Sequence, residues 1–132
     1  MIKDKIAGKK VKSLYFYDKK VGEYELKILI ELENNIFLFF DSTQFNLLYS
    51  NEILSQYDWK LYDLILDYAI KNVKEEELRT YFVLFEDETI LYIYQKIIDL
   101  ENWYQDFNIV NEFSPDYKDI KEHMEEDWIE EV

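Results

Sequence analysis

Among the side chains that carry out most protein chemistry, this chain of 132 residues has one histidine, His123, and no cysteine. Serines and threonines are few, so a Ser-His-Asp or Cys-His arrangement lacks the material from which it would be built. Without cysteine there is no disulfide framework and no thiolate zinc site, which fits a reducing compartment. His123 falls beside the apolar stripe of an acidic C-terminal segment and reads as a solvated surface group. Gly8 and Gly22 are the only glycines and neither sits in a phosphate-binding motif, so the common nucleotide cofactors are disfavoured.

Carboxylates remain, and Asp and Glu alone suffice for glycosidase-type acid–base work or for holding Mg²⁺ or Ca²⁺. Their spacing argues against both. Read as helical, Glu75-Glu76-Glu77 and Glu125-Glu126-Asp127 fan out around an axis instead of converging. Asp63 and Asp67 share a helical face, but Lys60 and Lys71 flank them at ion-pairing distance. The spaced loop signature of a Ca²⁺ site is missing. The expectation is a chain without catalytic residues, metal or cofactor.

Charge is the stronger signal. Twenty-nine acidic residues against 15 basic ones give a net charge of -14, yet residues 1–20 carry +5 and the remainder -19. The basic end interleaves Lys9, Lys10, Lys12, Lys19 and Lys20 with Tyr15, Phe16 and Tyr17, a minimal recipe for binding single-stranded nucleic acid. The competing reading is an edge strand whose lysines block aggregation while the aromatics pack, and the acidic remainder opposes any polyanion. The acidic surface has two readings of its own. It keeps the chain soluble, or it complements a basic cleft by setting carboxylates among aromatic anchors. Residues 114–132 carry eight acidic residues against Lys118 and Lys121.

The elements that must position these groups follow from hydropathy. A hydrophobic fraction of 48% with 18% aromatics is ample for a folded core, and the length favours a single domain over residues 1–132. Val11 to Tyr17 reads as a strand. Glu23 to Glu33 alternates, with Leu26, Ile28, Ile30 and Leu32 on one face. Asn34-Asn35 suits a two-residue hairpin turn with positive φ. Ile36 to Phe40 is apolar on both faces, as a covered central strand would be, and Phe45 to Ser50 is a shorter fourth strand. From Tyr57 the spacing of Leu61, Leu64, Ile65 and Tyr68 predicts a central helix, with Trp59, Leu66 and Ile70 on a further sector that is either core or docking surface. Arg79 to Phe85 and Thr89 to Ile98 form a second hairpin about Asp87-Glu88. Residues 101–113 are ambiguous. Ser114-Pro115-Asp116 starts a helix striped by Tyr117, Ile120, Met124 and Trp128. The predicted fold is α+β: an antiparallel sheet of five or six strands packed on a central helix, with an acidic C-terminal helix. The charged N-terminus and the lack of a long apolar run predict a cytoplasmic protein that is not in a membrane.

The strand GKKVKSLYFY, the hairpin IELENNIFLFF and the acidic tail KEHMEEDWIEEV give the chain a likeness in style to bacterial toxin-immunity proteins. It also resembles phage anti-defence inhibitors of the anti-CRISPR kind. The resemblance implies a non-enzymatic inhibitor that masks the basic active site of a nuclease toxin or of a nucleic-acid-processing defence enzyme. On this reading Glu122, Glu125, Glu126 and Asp127 steer the partner and Trp103, Tyr104 and Trp128 anchor it. The alternative is a small nucleic-acid-binding module built on the lysine-rich first strand.

Overall fold

The computed structural model describes residues 5–6, 8–19, 25–41, 45–62, 69–76, 80–97 and 103–122, with the backbone alone at 19, 25, 76, 95–97, 103 and 104. Among them are nine strands: β1 (Val11–Lys19), β2 (Glu25–Leu32), β3 (Ile36–Phe40), β4 (Phe45–Leu48), β5 (Lys60–Leu61), β6 (Ile70–Glu76), β7 (Thr80–Phe85), β8 (Ile90–Ile97) and β9 (Trp103–Val110). All pair antiparallel, in a five-stranded sheet of order β4-β3-β2-β1-β5 and a four-stranded sheet of order β6-β7-β8-β9. Helix among the described residues is confined to short pieces: residues 5–6, α1 (Ile53–Gln56), residues 117–122 and a 3-10 turn at Glu33–Asn35.

Strand alternation decides which side chains meet between the sheets. Leu26, Ile28, Ile30 and Leu32 of β2 point inward with Leu38 and Phe40 of β3, against Tyr81, Val83 and Phe85 of β7 and Leu91 and Ile93 of β8. Phe40 stacks on Phe45 at 5.1 Å and meets Tyr81 of the opposite sheet edge-on at 5.2 Å. The sheets therefore form a sandwich with an apolar core between them, the arrangement two half-apolar sheets adopt to bury their faces. At one corner they are also joined through the backbone. Lys10 bridges Ala69, Ile70 N–H donates to Lys9 O at 3.2 Å, and Gly8 N–H donates to Ile70 O at 3.2 Å.

Each sheet also buries part of its outer face. Leu29, Phe37 and Phe39 on the outside of the first sheet are covered by Ile53 and Leu54 of α1 and by Tyr57 and Trp59. Phe82, Leu84 and Ile90 on the outside of the second are covered by Tyr117 and Ile120. This accounts for Ile36 to Phe40 being apolar on both faces: β3 lies inside a sheet with apolar layers on either side.

The central helix predicted from Tyr57 is not formed, and the fold is mostly β instead of α+β. Tyr57 is extended (φ -136°, ψ 158°), Lys60–Leu61 pairs with Phe16 and Tyr15 of β1, and Ile70 opens β6. Tyr57 and Trp59 both rest on Phe39 and touch each other at 5.6 Å. Side chains two apart share a side in extended chain and not on a helix. Burial of these aromatics on the sheet, with Trp59 Nε1–H donating to Ile53 O at 2.9 Å, outweighs the weak preference that the helical spacing expressed. Ile70 is fully buried in the inter-sheet core and Trp59 is half-buried in the outer layer; Leu66 lies outside the described residues. Glu75 and Glu76 fall on β6, so the run is not helical, and the ambiguous stretch contains β9.

Both turns about acidic or amide residues form, with differences. Leu32 pairs with Ile36, so the first loop has three residues instead of two, and Asn34 and Asn35 both take positive φ, 64° and 60°. In the second, Asp87 Oδ1 accepts the Thr89 N–H at 3.0 Å and its Oδ2 the Thr89 hydroxyl at 2.7 Å, while Glu88 takes φ 71°. The edge strands of the second sheet occupy some of their own donors. Val73 N–H donates to Asn72 Oδ1 on β6 and Phe107 N–H to Asp106 Oδ1 on β9, each at 2.9 Å. An edge donor so occupied is not offered to another strand.

Candidate protein-binding surface

β9 ends with Val110 buried against the outer face of the second sheet, and the chain then has to turn before it can cover that face. Asn111 and Ser114 make the turn. Asn111 N–H donates to Ser114 Oγ at 3.1 Å, Ser114 N–H to Asn111 O at 2.8 Å, and Phe113 N–H to Asn111 Oδ1 at 2.9 Å. Ser114 thus reaches back to Asn111 instead of capping the helix ahead. Pro115, which has no N–H to leave unpaired, leads into residues 117–122.

The helical piece is fastened by one face. Tyr117 and Ile120 pack on Phe82, Leu84 and Ile90, and the Tyr117 hydroxyl donates to Glu88 O at 2.7 Å. Glu88 accepts Lys121 Nζ at 2.9 Å on one carboxylate oxygen and Lys71 Nζ at 3.0 Å on the other. These two bonds, Lys121 first, hold the Glu88 carboxyl below the usual glutamate range, while burial raises the Tyr117 hydroxyl. A carboxyl lowered by folding stabilises the fold above its ordinary pKa, and that contribution is lost as pH falls through the lowered one. Acidification through and below the ordinary glutamate range should therefore loosen the Lys121 contact. The Tyr117 and Lys121 amide resonances should report a transition centred below the glutamate range, absent in Glu88→Gln.

What remains outward is one apolar knob among carboxylates. Phe113 is 87% exposed, the most exposed large apolar side chain among the described residues. A lone exposed apolar side chain is ordinary. Phe113 differs in sitting on a turn closed by three hydrogen bonds, so little conformational entropy remains to be lost when a partner covers it. Around it in sequence Glu112, Asp116, Asp119 and Glu122 are all exposed, against Lys118. The sequence signal for this knob was an aromatic between Asn111 and Ser114-Pro115, inside a turn where nothing requires burial.

Glu122 is exposed at the end of the helical piece that follows Phe113. Trp103 and Tyr104 do not adjoin Phe113, because they open β9 and the strand's seven steps to Val110 span about 24 Å. Glu125, Glu126, Asp127 and Trp128 lie outside the described residues, as does His123. The aromatics of the lysine-rich strand divide between its two faces. Phe16 faces inward on Tyr62 and Phe107, Tyr17 faces outward on Tyr57 and Trp59, and the Tyr15 hydroxyl donates to Glu31, which also pairs with Lys12 at 3.5 Å. Among the described residues no group of three or more His, Cys, Asp or Glu is placed to hold a metal ion, and no helix is long and apolar enough to cross a membrane. Compared with known proteins, the chain matches no family model, no curated protein and no solved structure.

Proposed function

We propose that this protein is a non-enzymatic, acidic binding protein of the cytoplasm that occludes the basic nucleic-acid-binding or active site of a partner. The partner class is a nuclease toxin or a nucleic-acid-processing defence enzyme. The observation that carries this reading is Phe113 held exposed on a pinned turn, with exposed carboxylates near it in sequence at 112, 116, 119 and 122. An apolar anchor with an acidic surround suits a site that is itself basic, since complementary charge steers the encounter and the buried aromatic slows release. The net charge of -14 excludes competing polyanions from the same surface.

The test uses the whole chain and a partner isolated on it, then reconstituted from purified components. The expected result is stoichiometric loss of the partner's nucleic-acid binding or cleavage, with association that slows steeply as salt rises. No mobility shift of single-stranded DNA or RNA by the chain alone is expected. Direct nucleic-acid binding at physiological salt would overturn the reading in favour of a module using Lys9, Lys10 and Lys12, and so would a partner whose activity is unchanged in the complex.

A further inference from the structure

A tight turn between antiparallel strands that needs one residue in the left-handed region ordinarily takes glycine there. The turn between β7 and β8 takes Glu88 instead, at φ 71°, with its N–H donating to Phe85 O at 3.0 Å. That backbone is uncommon for a glutamate, and an outlier of this kind points to something the residue does beyond the turn. The turn itself is closed by other groups. Asp87 accepts both the Thr89 N–H and the Thr89 hydroxyl, and Phe85 N–H donates to Thr89 O at 2.9 Å. Both acceptor ends of Glu88 reach out of the turn. Its carbonyl takes the Tyr117 hydroxyl at 2.7 Å, and its carboxylate joins Lys71 of β6 to Lys121 of the helical piece.

These contacts bear on Phe113, whose exposed ring stands between two buried residues, Val110 and Tyr117. Tyr117 N–H donates back to Ser114 O at 3.2 Å, so the turn that carries Phe113 runs directly into the side chain that Glu88 holds. Lys121, one helical turn further on, lies with its ammonium 5.8 Å from the centre of the Tyr117 ring. The apolar contacts of Tyr117 and Ile120 attach this piece to the second sheet, but apolar contact is not directional, whereas hydrogen bonds fix direction and distance. We propose that Glu88 is a positioning residue for the Phe113 surface, setting where the segment from Asn111 to Glu122 lies on the second sheet. This assignment rests on the function proposed above. The left-handed backbone aims the carbonyl at Tyr117 and the carboxylate at Lys121 together, which is why a glutamate stands where glycine is the easier residue.

Glu88→Gly removes the carboxylate and eases the backbone, so its local and global effects separate. The urea midpoint should not fall, while amide hydrogen exchange at Tyr117 and Ile120 should quicken about fivefold, the upper range for a partly exposed ion pair. Amides of β7 and β8 should be unchanged. Glu88→Gln, which keeps the left-handed backbone and loses the charge, should quicken the same two amides. Against the partner isolated on the whole chain, Glu88→Gly should weaken affinity about fivefold. It should weaken it no further in Phe113→Ala, because a residue that acts through the ring then has nothing left to position. The proposal is overturned by unchanged exchange at Tyr117 and Ile120 in both Glu88 variants, by a lower midpoint with quickened exchange throughout the second sheet, or by additive losses in the double variant. Full partner affinity in Glu88→Gly while Phe113→Ala binds weakly overturns it too and leaves the proposed function standing. Full affinity in Phe113→Ala removes the surface on which both depend.

Discussion

Replacing Phe40 by alanine is expected to lower the unfolding free energy by about 3–5 kcal/mol, the cost of deleting a buried phenylalanine and leaving its cavity. Phe40 is 1% exposed and touches both halves of the fold, stacking on Phe45 in its own sheet and meeting Tyr81 of the other edge-on. Its neighbours Leu38, Val83 and Phe85 are also strand residues, held by backbone pairing, and cannot collapse into the space. Urea unfolding reads the effect directly as a lower midpoint with little change of slope. Phe40→Leu keeps most of the volume and should cost under about 2 kcal/mol, which leaves a folded variant to measure if alanine unfolds the chain. A loss below about 1 kcal/mol for alanine would mean that the sheets are not joined through this ring.

Phe113→Ala separates binding from folding. Its side chain contributes almost nothing to the core, being 87% exposed, so stability should stay within about 0.5 kcal/mol of the parent. Affinity for the partner should fall by about 2–4 kcal/mol, the range of an aromatic hot spot, which is roughly 30-fold to 1000-fold and shows mainly as faster dissociation. Reversing Glu112, Asp116 and Asp119 to lysine should act on the other rate, slowing association and flattening its dependence on salt. The same reversal at Glu125, Glu126 and Asp127 asks whether the terminal residues share the interface. If Phe113→Ala binds as tightly as the parent, the anchor lies elsewhere on the chain.

The paired strands at each predicted hairpin were legible because their signals are local. Leu26, Ile28, Ile30 and Leu32 alternate without interruption, and Asn34-Asn35 and Asp87-Glu88 are residues that accept the tight backbone of a turn. β6 and β9 were not legible, and the reason is visible in their inward faces. On β6 the apolar Ile70 and Val73 stand three apart across a register shift, and on β9 the inward-facing Gln105 is 3% exposed. A register shift or a buried polar residue breaks the alternation by which a strand is recognised, and only the neighbouring strands show that it is accommodated. The second sheet therefore escaped notice as a sheet, and without it the first sheet's apolar faces called for a helix to cover them.

By itself the sequence determined the acidic character, the absence of cysteine, the strand-rich first half and the two turns, since each depends on residue type or on neighbours a few positions apart. Only the tertiary structure decided what covers what. Tyr57 and Trp59 could satisfy a helical stripe or an extended pair, and Phe39 beneath them selected the pair. Phe113 could have been core, and the turn that Asn111 and Ser114 close placed it in solvent beside the carboxylates. Burial is a property of surfaces brought together over long sequence separations, so the residues that it claims, and those it leaves free to bind, are settled only when the chain is folded.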